Sequence, residues 1–347
     1  MSYFHRVSAQ TRTRFWINNV TREEAVMALE NGATGCTQNP SYTYKMLVHP
    51  KNSAHAIELM HKLVGEIEDD TAVEVALQRM LVAEAAEEFM PMYEASKGQM
   101  GYVSIQGDPF DESYETIMKL AHYNREGSAP NIMIKIPATK DGIKAIEQCI
   151  RENIPVNCTE VFAMQQVIDI LDAYDRATEG NPNPPAVYLS HIAGIFDEYL
   201  TKYAKANNID ISSDILWHAG KAVAQKVREY MDNRGTGVKL INGGARGLQH
   251  FTEWVGCDVA NTINWINTAD KLVEADGPVV CRFNEPVPHY VIDELVNKLP
   301  DFEKAFFTGR LTAEEYEPFG PVELFCSSFR RDWKAALAMI AEARAAK

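Results

Sequence analysis

The chain is expected to fold as an α/β protein, a (β/α)8 TIM barrel forming a single domain with extra C-terminal helices, and three observations predict this. Short β-rich runs alternate with longer amphipathic stretches, the pattern of βαβ units in a parallel sheet. The runs number eight, which favours closure into a barrel. The length of 347 residues suits one such barrel, and no linker, internal repeat or low-complexity tail divides it.

The eight candidate strands are RFWIN (14–18), GCTQNP (35–40), YVSIQ (102–106), IMIKIP (132–137), PVNCTEV (155–161), AVYLSHI (186–192), VKLING (238–243) and DVANTIN (258–264). Between them, TREEAVMALEN, DGIKAIEQCIREN and AGKAVAQKVREYM carry apolar residues at helical spacing. The segment 53–97 is too long for one crossover and should hold two or more helices. EGNPNPP (179–185) reads as a turn-rich loop. No strand is evident after 265; 287–299 and 321–345 read as helices, so 266–347 should contribute helices to the one domain that spans 1–347.

Composition excludes several classes. Apolar residues make up 46% and charged residues 24% of the chain, which indicates a globular protein rather than a disordered one. The formal net charge of -14 argues against nucleic-acid or membrane partners, because both need clustered Lys and Arg. Six cysteines stand without a CxxC or a His/Cys ligand spacing, so neither zinc nor a disulfide framework is indicated. No apolar run has the length of a signal peptide or a membrane span, which predicts a cytoplasmic protein.

In barrels of this kind chemistry sits at the C-terminal ends of the strands. Lys135 in IMIKIPAT has isoleucine on both sides and lies in a strand expected to be buried. Burial lowers an amine's pKa and leaves it neutral, hence nucleophilic toward a carbonyl. A structural lysine with a buried acidic partner is the competing reading of the strand taken alone. Nearby strands end in neutral amides and hydroxyls: Thr37, Gln38 and Asn39 in one, Asn157 and Thr159 on a shared face of another. Such groups around an amine suit a polyol.

Three segments resemble one family. GCTQNPS (35–41) is similar to its TTNPS segment, MIKIPAT-x-x-GI-x-A (133–145) to its Schiff-base lysine strand, and NIPVNCTEVFAMQQ (153–166) to its GI-x-x-N-x-T-x-x-F-S-x-x-Q segment. With FWINN before them and GGAR after, the chain resembles transaldolases over roughly 14 to 264. The resemblance implies a class I mechanism in which Lys135 forms an imine with a ketose, the C3–C4 bond breaks, and a dihydroxyacetone enamine is passed to a second aldehyde. It further implies that Asn39 and Asn157 hold the hydroxyls of the three-carbon unit, with Thr37 and Ser190 nearby and Thr159 positioning a water.

The chain departs from the family at charged positions. An aspartate and a glutamate that serve the family as acid/base groups are replaced by Asn18 and Gln106. One phosphate-binding arginine is replaced by Ile195; the other is matched by Arg246, although the serine two residues before it becomes Gly244. Losing two carboxylates and one arginine leaves a pocket more cationic by one charge, which points to a substrate with an anion near the imine. A general base contributes about 10²–10⁴-fold, so ordinary turnover should be slow unless another group substitutes. Asp108 is one candidate, against a turn aspartate before Pro109. By strand parity Glu160 faces away from Thr159, and His191 turns outward as a packed structural residue. EIEDD (66–70), AEEYEP (313–318) and FRRDW (329–333) read as solvated helix faces.

The leading expectation is thus a transaldolase-like transferase or aldolase of sugars or sugar phosphates, as in the pentose phosphate pathway, with no metal and no organic cofactor. The alternative is a catalytically impaired homologue that binds carbohydrate or regulates. A homodimer is the expected assembly, since helix-rich barrels of this size often pair.

Overall fold

The computed structural model describes residues 1–346. Eight parallel strands close into a barrel in sequence order: β1 Arg14–Asn18, β2 Ala33–Thr37, β3 Tyr102–Gln106, β4 Ile132–Pro137, β5 Val156–Val161, β6 Val187–His191, β7 Lys239–Asn242 and β8 Ala260–Ile263. All eight fall on the runs expected from sequence. The second is displaced, because Ala33 pairs with Phe15 across a slip in register and Pro40, which lacks an N–H, lies beyond the last paired residue Thr37.

Local chemistry sets the helix starts. Thr21 and Glu24 form a reciprocal capping box before the helix Arg22–Glu30, with Thr21 Oγ1 accepting from Glu24 N at 3.1 Å and Glu24 Oε2 accepting from Thr21 N at 2.9 Å. Thr139 caps Lys140–Arg151, whose buried face is Ala145, Ile146, Cys149 and Ile150. The long segment after β2 holds three helices, Tyr42–Leu47, Ser53–Glu66 and Asp70–Ala95; Asp69 starts the last by accepting from Ala72 N at 2.7 Å.

Among the described residues no strand follows β8. The helices His289–Lys298, Pro300–Phe306 and Gly320–Ala345 come instead. The last has 26 residues, about 39 Å of helix. It packs on the three helices after β2, on β5, and on the helix Ala193–Ala206 after β6, so it spans the C-terminal mouth of the barrel. Its FRRDW segment is therefore not a solvated face: Phe329 and Trp333 are buried in the contact, because the apolar stripe of this helix runs through them. AEEYEP is solvated only in part, since Tyr316 is buried and donates to Asp169.

The interior of the barrel is layered. Trp16, Tyr102, Met133, Tyr188, Ile241 and Ala260 fill the N-terminal end, with Trp16 and Tyr188 ring centroids 4.9 Å apart. Polar side chains fill the other end. Outside, Phe4 of the first helix, Tyr3–Gln10, stacks on Phe15 at 4.0 Å and meets Phe251 edge-on. No helix among the described residues is long and apolar enough to cross a membrane.

The aromatic plug leaves no room on β2. A Cβ at Gly35 would lie 2.3 Å from the Trp16 indole. Gly35→Ala should lower stability by about 1–3 kcal/mol, read from the urea midpoint; an unchanged midpoint would mean the plug is loose.

Candidate active site

Six of the residues singled out in the sequence line one cavity of about 700 Å³ at the C-terminal end of the strands: Asn18, Thr37, Asn39, Lys135, Ser190 and Arg246. Strand ends from β1, β2, β4 and β6 and the loop after β7 converge there, as closure of the barrel requires. Gln106, Asn157 and Thr159 are buried beside it. Gln106, Lys135 and Asn157 are consecutive register partners across β3, β4 and β5.

Lys135 is almost fully buried. Burial pushes its pKa down to about 8, only partly opposed by the carboxylate of Glu160 acting through space. Its Nζ lies 6.0 Å from the centre of the Phe329 ring. Asn157 is held between two hydroxyls: its Oδ1 accepts from Ser190 at 2.7 Å and its Nδ2 donates to Ser104 at 3.5 Å.

On the opposite wall, Thr37 donates to Asn18 Oδ1 at 2.9 Å and shares a 2.6 Å contact with the Thr262 hydroxyl, while Asn18 Nδ2 donates to Asn264 at 3.0 Å. Asn39 Oδ1 accepts from Asn19 Nδ2 and from Ser41 N, leaving its own Nδ2 as the group it can offer a ligand. The Thr159 hydroxyl and Gln106 Oε1 are buried and have no protein partner.

The rim differs from its expected form. Arg246 forms an ion pair with Glu198 and also donates to the carbonyls of Gly244 and Ala245. Ile195 is buried, and a Cβ at Gly244 would lie 2.7 Å from both Ile192 and Ile195 at a φ of +70°. A serine is thus excluded from position 244 by the same isoleucine that replaces the arginine. The cavity also takes in Lys45, with Glu24 at 3.8 Å, and Arg331, with Asp332 at 2.9 Å. Leaving Lys135 aside, three cations and two carboxylates line it. Glu198, paired with Arg246, adds a third carboxylate just beyond the lining, so these rim charges balance.

Two expectations from strand parity have different outcomes. His191 is buried outside the barrel, its Nε2 3.3 Å from the Gly220 carbonyl, and burial lowers its pKa to about 4. Glu160 lies at an irregularity that strand parity does not describe. Pairing of β5 with β6 slips between Cys158 and Val161, and Glu160 takes φ +62° within that bulge. The left-handed backbone costs a non-glycine residue on the order of 1–2 kcal/mol. The buried side chain accepts from Gln106 Nε2 at 3.0 Å and from the Cys326 thiol at 3.2 Å. Asp108, the other carboxylate considered, accepts from Phe110 N at 2.8 Å in a turn; it lies off this cavity, on a narrow cleft that Lys135 also lines.

Residues missed in the sequence come mainly from the last helix. Phe325, Ser328, Phe329 and Asp332 follow the i, i+3, i+4, i+7 stripe of one helix face and line the cavity. The stripe itself was visible; what it covers was not. Asn19 and Lys45 were reachable as neighbours of the first two strand ends, and nothing marked them as more than surface polar residues.

Comparison with known proteins agrees with this geometry. The family model described as transaldolase/fructose-6-phosphate aldolase matches residues 15–314. A protein named Transaldolase 2 from Nostoc sp. is 30% identical over 181 residues, covering 47% of this chain and 44% of its own length. Transaldolase from Thiobacillus denitrificans is 31% identical over 170 residues, 46% of each chain, and that from Trichodesmium erythraeum 29% identical over 211 residues, 54% of each. The chain spans about half the length of the curated relatives it matches. It belongs to the transaldolase/fructose-6-phosphate aldolase family.

Proposed function

We propose that the protein is a transaldolase-type enzyme that forms an imine between Lys135 and a ketose and then makes or breaks a carbon–carbon bond. The observation that supports this most is a buried lysine, with its pKa lowered to about 8, facing a cavity of about 700 Å³ lined by amides and hydroxyls. A neutral amine adds to the substrate ketone, water leaves, and the imine draws the electrons of the C3–C4 bond as the C4 hydroxyl gives up its proton. The enamine then waits for an acceptor aldehyde. No metal or organic cofactor is needed, because the imine is itself the electron sink.

In this reading Asn39 Nδ2, Asn157 and Ser190 hold hydroxyls of the three-carbon unit, supported by the free Asn39 Nδ2 and the Ser190–Asn157 bond, and Thr37 with Asn18 forms the facing wall. Thr159, with its unpartnered hydroxyl, suits the role of holding the water released in imine formation. The substrate is a sugar or sugar phosphate in the cytoplasm, its far end reaching Arg246 and Arg331 at the rim. An anionic end group suits Arg246 and Arg331 there, in exchange for their carboxylate partners.

Intact mass after borohydride reduction tests the imine. Incubation with dihydroxyacetone, fructose or fructose 6-phosphate should leave an adduct in the native protein and none in Lys135→Ala. Trapping should grow as pH rises through about 8, where the buried amine becomes neutral; an adduct persisting in Lys135→Ala would place the imine elsewhere.

The rim gives a second test. Glu198→Gln should free Arg246 for a substrate phosphate and lower KM for a phosphorylated ketose by about 2–5-fold, the scale of an exposed ion pair, with little change for the unphosphorylated sugar. Equal effects on both would remove Arg246 from substrate recognition.

A further inference from the structure

The aldol reading leaves one group of buried polar side chains without a role. Lys135 lines two spaces, the main cavity and a narrow cleft that it shares with Gln106 and Glu112. Glu160 lies behind this cleft, hydrogen-bonded to Gln106 and close to Glu112. Its carboxylate is held by Gln106, the register partner of Lys135 on β3, and by Cys326 on the last helix. Carboxylate oxygens of Glu160 and Glu112 and the Cys326 sulfur lie within 4.8 Å of one another.

Both of its hydrogen-bond donors are neutral. Arg330, the nearby cation of the last helix, is directed to Glu323 at 3.0 Å and to the Pro109 carbonyl at 3.2 Å. The groups facing Glu160 are therefore Lys135, Glu112, Cys326, Gln106 and, at the edge, Arg330. The two donors, together with Lys135 and Arg330, favour the ionised carboxylate, whereas the second acid beside it favours the protonated form. Burial acts the same way and raises the Glu160 carboxyl above its ordinary range. From this bulge the side chain reaches both Gln106, the register partner of Lys135, and Cys326 of the last helix.

We propose that Glu160 is the proton donor and acceptor for imine formation at Lys135, with Gln106 and Cys326 as its positioning residues. This rests on the imine chemistry proposed above. Lys135 Nζ bonds to the substrate carbonyl carbon, and a proton passes from nitrogen to oxygen to give the carbinolamine. Glu160 then gives its proton to that hydroxyl, the C–O bond breaks, water leaves, and the nitrogen lone pair closes the C=N bond. A neutral acid and a neutral amine become a carboxylate and an iminium, so the buried site changes from two neutral groups to an opposed pair without a net change of charge. Hydrolysis runs the same steps backward, with Glu160 taking a proton from the attacking water.

The test is the pH dependence of the rate of imine formation with dihydroxyacetone, quenched by borohydride and read by intact mass. The native protein should give a bell, rising as Lys135 loses its proton and falling as Glu160 loses its own. Glu160→Gln should slow imine formation by about 10²–10⁴-fold and abolish the alkaline limb. The exchange variant Gln106→Glu/Glu160→Gln returns a carboxylate to the other end of the same hydrogen bond and should restore that limb. Cys326→Ala removes a donor to the ionised carboxylate and should move the limb to higher pH while the acid limb stays. A native rate in Glu160→Gln, a slowed rate with the alkaline limb intact, or a limb unmoved by Cys326→Ala would each overturn this proposal alone. Absence of any adduct in the native protein would overturn the Lys135 reading and this proposal with it.

Discussion

Burying the amine of Lys135 is the constraint on which the upper barrel depends. An isolated ammonium in a barrel interior is costly, and the group responds by shifting toward its neutral form. The surroundings follow from that. Asn157, Ser190, Asn18 and Thr37 bring dipoles and not full charges, so they do not fix a proton on the lysine. The nearby carboxylates are themselves buried and shifted upward, Glu160 among them, so the environment of the amine stays close to neutral. Strong ion pairs are confined to the rim, where Arg246, Arg331 and Lys45 each have an acidic neighbour.

The scaffold separates stability from this chemistry. Trp16, Tyr102 and Tyr188 close the N-terminal end of the barrel, and Phe4, Phe15 and Phe251 lock the first helix beneath it. Both clusters lie away from the cavity. The last helix works at the other end: its stripe of Phe325, Phe329 and Trp333 fastens it over the strand ends, and the same turns bring Cys326, Ser328, Arg331 and Asp332 to the site. Packing of that helix is thereby coupled to the composition of the pocket, and loosening it should disturb the site before the barrel.

Strand runs and spacing revealed the barrel and most of the lysine's surroundings, because a buried strand that carries a lysine, or an Asn-x-Thr pair, departs from the apolar pattern around it. Glu160 was read only as facing away from Thr159, and its contacts with Gln106 and Cys326 were not foreseen; the slip of β5 against β6 at this point is a property of pairing and leaves little trace in one strand's sequence. The FRRDW segment failed for a related reason. Its helical period was plain, but a helix far along the chain can cover any face, and its partner is fixed by tertiary packing. Conversely, Gly244 and Ile195 were recognised as departures, and the structure explains them together as one close contact.

The account centres on a buried amine whose pKa is lowered to about 8, so that a reactive neutral fraction exists near physiological pH, and the direct measurement is the titration of Lys135 by heteronuclear NMR of its side-chain Cε and Nζ. It predicts a lysine resonance with a midpoint near 8 that is missing from Lys135→Met. If every lysine titrates at the ordinary value and the Lys135→Met spectrum loses only such a signal, the amine is a charged structural group and the imine chemistry built on it fails.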